Sequence, residues 1–292
     1  MSDISRYQHT TTLKSIINKK SRQEKIAFGL MRLCSFLIIL ILTGIIGNIL
    51  INGLPYITVD FLTTEPKDMG RAGGVASVII TTLYLIIFSL IIATPIGIGS
   101  AIFLTEYAKE GKIIKIIRFC TEALAGIPSI IFGLFGYVFF VVFLDFKYSM
   151  VSGSLTLSLM ILPIIIRTSE EAIKAVPRPY REGSQALGAT KWYTIYKIVL
   201  PTAAPGIMTG IILGIGRIVG ETAAVIYTAG SSLGIPNSIW RPGRTLAVHL
   251  YILASEGLSK SHMYATATVL IIIVLIINLI VKQLLGRLKI SM

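Results

Sequence analysis

An arginine and a glutamate interrupt the apolar stretch from Ala203 to Ile226, in the run Gly214-Ile215-Gly216-Arg217-Ile218-Val219-Gly220-Glu221-Thr222. Ionisable groups in such a stretch are costly to bury in hydrocarbon, so they usually face a helix-bundle interior or water, and by default they point to function. A separation of four residues puts both side chains on one face of a helix. Gly206, Gly210 and Gly214 recur at the same interval, a spacing that allows close helix contact. Gly210, Gly214, Arg217 and Glu221 are therefore expected on one stripe that faces protein or a pathway. Two chemistries fit this stripe. The guanidinium fork stays charged and matches two oxygens of a tetrahedral oxyanion. Alternatively, Arg217 and Glu221 satisfy each other as an intramembrane salt bridge. Both hold if an arriving anion competes with Glu221 for Arg217.

A second pattern lies upstream, where Glu182-Gly183-Ser184-Gln185-Ala186-Leu187-Gly188 is followed, after nine intervening residues, by Ile198-Val199-Leu200-Pro201. Glycine at 188 can take a left-handed conformation and end a helix, so two short helices with a turn at Gly188 are expected. Trp192 and Tyr193 add amphipathic surface suited to a boundary between membrane, water and partner.

Other chemistry is thin. There is no phosphate-cradling Gly-x-x-x-x-Gly-Lys-Ser/Thr loop, and the nearest fragment, Gly111-Lys112-Ile113, lacks both the upstream glycine and the hydroxyl. No catalytic residue and no metal ligand set is assigned. Cys34 and Cys120 read as small apolar filler. His249 and His262 have no cysteine or carboxylate at ligand spacing and are expected to be solvated or interfacial. Pro128, Pro163 and Pro205 are expected to kink or cap spans.

The elements that position these residues follow from composition. The 292 residues are 54% hydrophobic and 14% charged, with a mean hydropathy of +0.79; a soluble chain carries about a quarter charged residues. The charge is missing from long runs, which places the chain in a bilayer. Six spans are expected, near 33–53, 78–104, 123–144, 148–166, 203–226 and 263–281, giving an all-α transmembrane fold. The net charge of +13 follows membrane topology, with no need of nucleic acid. Twenty Lys and Arg fall in the N-terminal tail (1–32), the 105–122 loop, the 167–202 loop and the C-terminal tail, against six on the other side. The positive-inside rule then puts both termini in the cytoplasm. The outer loop at 145–147 is very short, so spans three and four form a hairpin, whereas the loop from Tyr227 to His262 is long enough to fold over the outer mouth.

The stretch Glu182–Pro201 resembles the EAA loop of ABC importer permeases, Glu-Ala-Ala, three residues, Gly, nine residues, Ile, one residue, Leu-Pro. It departs only in having Gly183-Ser184 for the two alanines. The resemblance implies that Glu182, Gly188, Ile198, Leu200 and Pro201 belong to a coupling element docked on a separate ATPase subunit, so ATP, the one cofactor in play, is bound outside this chain. The run Arg217 to Thr222 resembles the Arg-x-x-Gly-Glu-Thr stretch of phosphate importer permeases. So do Glu122 to Gly136 at the start of the third span, and Thr94 to Gly99 with Tyr107-Ala108 at the end of the second. Within that family, Ala223 and the short N-terminal tail look more like the PstA type than its PstC partner. The resemblance spans about residues 70–285 and implies a five-helix, MetI-like importer core preceded by an extra span (33–53), ending before a short tail (286–292). It further implies a substrate pathway lined by Arg217, Glu221 and Thr222, a PstC-like permease, a PstB-like ATPase, a PstS-like phosphate-binding receptor, and residence in a prokaryotic inner membrane. The alternatives are a permease for another oxyanion (molybdate, sulfate or phosphonate) and a non-transport membrane scaffold or intramembrane enzyme. The absence of Asp/Glu/His constellations in the spans weighs against the enzyme.

Overall fold

The computed structural model describes the backbone of residues 2–109 and 111–290, and side chains for Glu24 and for residues 26–109 and 111–283. The chain divides into two compact units, residues 1–52 and 53–292. The first is made by one helix, α1 (Ser2–Gly53). Its apolar part lies within Ile26–Tyr56, long enough to cross a membrane, and begins before the residue-33 boundary drawn from the sequence.

The second unit opens with a short helix, α2 (Val59–Thr63), and a two-stranded antiparallel hairpin, β1 (Pro66–Lys67) with β2 (Ala72–Gly73). The main helices follow: α3 (Ala76–Ile102), α4 (Lys112–Ala125), α5 (Ser129–Gly136) and α6 (Met150–Lys174). Next come α7 (Arg178–Ala186), α8 (Lys191–Thr194), α9 (Leu200–Val219), α10 (Ala223–Thr228), α11 (Leu246–Ser255) and α12 (Lys260–Ile290). Three π-helical segments continue helices without a break: Phe103–Tyr107 after α3, Tyr137–Phe143 after α5, and Ile195–Val199 between α8 and α9. Five helical runs among the described residues are long and apolar enough to cross a membrane, and a sixth span results if α4 and the run Ser129–Phe143 count as one.

That pair is bent by 100°. The cause is local: Pro128 lacks an amide hydrogen and biases Ile127 away from the helical region, and α4 closes on tight bonds from the Gly126 and Ile127 amides to the Ala123 and Leu124 carbonyls. The apolar helix thus starts at Ser129, several residues after the expected start of the third span. The short turn before α6 is as expected, with Asp145 and Lys147 both at positive φ and the Ser149 hydroxyl capping α6 through the Ser152 amide.

The core centres on α6. It has the lowest mean hydropathy of the five long runs, 1.8, yet the largest buried share, 67%. The hydroxyls of Ser152, Thr156, Ser158 and Thr168 contribute to the combination, because each bonds to a carbonyl within the bundle and so can leave water. Ser158 donates to Ser154 of its own helix at 2.6 Å and to Ser89 of α3 at 3.1 Å, and Ser89 returns a bond to Ser154. Around these bonds Leu157, Met160, Ile161 and Ile165 pack with Leu85 and Ala93 of α3 and with Ile215 and Val219 of α9.

Two features at the end carrying the hairpin depart from the sequence reading. The 227–262 segment contains a buried helix, α11, and its His249 is buried, only 1% exposed. His262 is half-buried, edge-on to Phe61. The apolar environment of α11 came from tertiary packing, with Leu246 joining Phe61, Val75 and Val78.

Candidate functional site

The glycine stripe on α9 faces α6. A Cβ on Gly206 would lie 2.5 Å from the Ala172 Cβ, and one on Gly210 would lie 1.9 Å from the Thr168 Oγ1, so only glycine permits this approach. Gly214 faces Ile161 and Ile165 of the same helix. The expected contact between helices is therefore present up to Gly214, and Arg217 follows one turn later.

Beyond Arg217 the stripe ends. α9 stops at Val219 and Gly220 is its C-cap; the expected single span 203–226 is broken there. Glu221 is not one helical turn above Arg217 but in the link to α10. Its backbone amide bonds back to the Ile218 carbonyl at 3.1 Å, and its carboxylate accepts the Ala224 amide at 3.1 Å. That satisfies one of the orphan amides of a helix start. Thr222 is the N-cap residue of α10, and its carbonyl accepts from Ile226. The Arg217–Glu221 ion pair, one of the two readings open from the sequence, does not form. Arg217 is half-buried, and its Nε is buried without a hydrogen-bond partner among the described residues.

Small residues fix α10 in place. Gly133 of α5 sits so close to α10 that a Cβ would meet the Ala224 Cα at 2.9 Å, and Gly153 of α6 leaves room for Ala229. Glu221, 8% exposed, is thus held where α5, α6, α9 and α10 converge.

The 178–201 stretch forms the two short helices expected, α7 and α8. Gly188 has φ +84°, and the bonds Gly188 N to Gln185 O and Ala189 N to Ser184 O close α7 in a Schellman motif. Thr190 caps α8 through the Tyr193 amide. Ser184, one of the two departures from the alanine pattern, is buried and hydrogen-bonds Thr194 at 2.9 Å, tying α7 to α8. Glu182 and Gly188 are exposed, while Ile198, Leu200 and Pro201 are half-buried. Leu200 and Pro201 lie inside one helical run, Lys191–Val219. The missing amide of Pro201 and its clash with the preceding turn are absorbed by the π segment Ile195–Val199 just before it. Leu187, 90% exposed, and Trp192, 61% exposed, stand on the outer side of the loop, beside a hollow of about 560 Å³ lined by Ser184, Gly188, Tyr193 and Ile198.

Sequence reasoning missed Glu106 and Arg181. The Arg181 Nε and Nη2 donate to the Glu106 Oε1 at 3.0 and 2.9 Å, and Arg181 also donates to the carbonyls of Val176 and Ile173. Both residues adjoin stretches already singled out, Tyr107-Ala108 and Glu182, but a partner 75 residues away leaves no mark in local spacing.

A family model described as binding-protein-dependent transport system inner membrane component matches residues 93–290. The chain is 35% identical over 277 residues to the probable ABC transporter permease protein YqgI of Bacillus subtilis (strain 168), covering 89% of this chain and 94% of that protein. It is 33% identical over 241 residues to the phosphate transport system permease protein PstA of Xylella fastidiosa (strain 9a5c), covering 82% and 84%. Among solved structures, a chain of the MetNI methionine ABC transporter in inward-facing conformation aligns with TM-score 0.58 at 22% identity, covering 74% of this chain and 94% of that one. That last likeness shows the MetI-like fold alone. With its helical runs long enough to span a bilayer, its match to the family model over most of its length and relatives above 30% identity, the chain belongs to the binding-protein-dependent transport system inner membrane components, as a multi-pass permease subunit of an ABC importer.

Proposed function

We propose that this permease carries inorganic phosphate, as the PstA-type half of a translocation path completed by a PstC-like permease, powered by a PstB-like ATPase and fed by a PstS-like receptor. The observation that carries the reading is Arg217. Arg217 lies two residues before the end of α9, its Nε has no partner among the described residues, and the carboxylate four residues on, that of Glu221, accepts the Ala224 amide instead. A tetrahedral oxyanion supplies the charge and the paired acceptors that such a fork lacks. Glu221 and Thr222 shape the same link and tune the potential there. Similarity to permeases named for phosphate transport supports the choice of anion.

Both termini lie in the cytoplasm in this reading, as the Lys/Arg bias dictates. The 167–202 loop is then cytoplasmic, and Glu182, Gly188, Ile198, Leu200 and Pro201 frame the element that docks the ATPase, with Leu187 and Trp192 on the docking face. ATP-driven closure of two ATPase domains moves two such loops and switches the cavity between membrane faces. The test is radiolabelled phosphate uptake in a strain lacking this gene, complemented with the wild type or with Arg217→Ala. Restored uptake with the wild type and its loss with Arg217→Ala is the expected result; equal uptake with both removes Arg217 from the path. A guanidinium reads charge rather than element, so competition by molybdate, sulfate or phosphonate in the same assay decides between anions.

A further inference from the structure

We infer that Glu106 and Arg181 form the joint that passes movement of the 178–199 loop to α3 and α6, a positioning role for two residues outside the docking face and the pathway. The inference rests on the reading that this loop docks the ATPase.

Arg181 lies on α7 with its side chain 19% exposed, and Glu106, 11% exposed, lies in the π turn Phe103–Tyr107 that ends α3. Two guanidinium nitrogens grip one carboxylate oxygen. The remaining donors reach the Val176 carbonyl at 2.6 Å and the Ile173 carbonyl at 2.8 Å. Those carbonyls belong to the end of α6 and its exit turn, where helical partners run out. One side chain therefore fastens the loop to two core helices at once. The fork geometry makes the fastening directional, since a point charge on a flexible stem would hold distance but not orientation.

The other arm of the loop is tied to the same turn. Lys191, at the start of α8, donates to the Glu106 main-chain carbonyl and stands 4.9 Å over the Tyr107 ring. The Ser184–Thr194 hydrogen bond locks the two arms together. The loop is thus a braced wedge with apolar side chains facing outward and ionic fastenings facing the bundle. From the joint, contacts continue through the Ser89–Ser154–Ser158 bonds between α3 and α6, and through Thr168 against Gly210, to the helix that carries Arg217. A path of contacts alone does not establish coupling. What singles out this pair is that a docking surface by itself requires no part-buried ion pair behind it, with two guanidinium nitrogens on one carboxylate oxygen.

The experiment uses the whole importer, with its ATPase and receptor, in lipid nanodiscs, and measures ATP hydrolysis with and without phosphate-loaded receptor. The variants are Glu106→Gln, Arg181→Lys, Lys191→Gln and the exchange Glu106→Arg with Arg181→Glu. The first two are expected to co-purify with the ATPase and keep basal hydrolysis, while receptor stimulation falls at least about fivefold, the lower end of measured coupling between sites. Lys191→Gln lowers stimulation less, and the exchange recovers part of it, as a pairwise interaction requires. Wild-type stimulation in both Glu106→Gln and Arg181→Lys overturns the inference, and so does an assembled exchange variant no better than the single ones. If either single variant fails to assemble, Lys191→Gln, a change to an exposed side chain, decides: unchanged stimulation there overturns the inference. Failure of the wild-type chain to retain any ATPase is a different result, which removes the docking reading itself.

Discussion

Glu221 accepts the Ala224 amide at 3.1 Å and leaves Arg217, four residues earlier, unpaired among the described residues. The carboxylate thus does the work of a helix cap. Replacing a cap residue by alanine costs about 1 kcal/mol, so Glu221→Ala is expected to lower the thermal stability of the detergent-purified importer. Glu221→Gln keeps an acceptor oxygen and should unfold close to wild type. A difference in phosphate uptake between the wild type and Glu221→Gln then isolates the charge of Glu221 from its capping role.

The approach of α9 to α6 makes a second prediction. At Gly210 a new Cβ would meet the Thr168 Oγ1 at 1.9 Å, and that hydroxyl is itself fixed by a 2.7 Å bond to the Ile164 carbonyl. Gly210→Ala should force the helices apart at a cost of about 1–3 kcal/mol, typical of overpacking. Gly216, on the same helix, has nothing within 4 Å of a built Cβ. Gly216→Ala should leave stability unchanged or slightly higher. Thermal unfolding of the two variants side by side checks the contrast.

A third prediction concerns pH. Burial, aided by the neighbouring Arg244 and His262, pushes the His249 imidazole down from 6.5 to about 4. The Arg244 Nη1 lies 3.4 Å from its Nδ1, and Arg244 also holds the Ser231 and Met69 carbonyls. The folded state therefore favours neutral His249. Between about pH 6.5 and about pH 4 the unfolded state binds more protons, so stability falls as pH drops through that window. His249→Gln should flatten the slope in unfolding experiments across those pH values.

Much of this was legible in the sequence because it follows from local physics. Apolar runs between Lys/Arg-rich loops give the spans, a glycine at 188 gives the turn, and glycines every four residues give a close helix contact along α9, though not its partner. What escaped depends on tertiary neighbours. The break at Gly220 was hidden because apolar residues resume after Glu221 and run to Ile226, and the α10 start is stabilised by Glu221 folding back on it rather than by a proline or a polar run. His249 reads as a loop residue until α11 is buried against the hairpin side, where Gly70 approaches its ring within reach of a Cβ at 2.6 Å. Glu106 and Arg181 look like two more loop charges until the helices that carry them meet.

The π segment Ile195–Val199 sets a rotational phase as well as easing Pro201 into the helix. A π turn holds one residue more than the α-helix it replaces, and each residue turns an α-helix by about 100°. Winding the same residues as uninterrupted α-helix would keep Lys191 and Arg217 on one continuous rod but rotate one against the other by roughly a quarter turn. The glycines that face α6 would swing away from it while the loop stayed seated. The rod between loop and arginine is therefore keyed, like a shaft with a flat cut in it, and its length and its angle are set together.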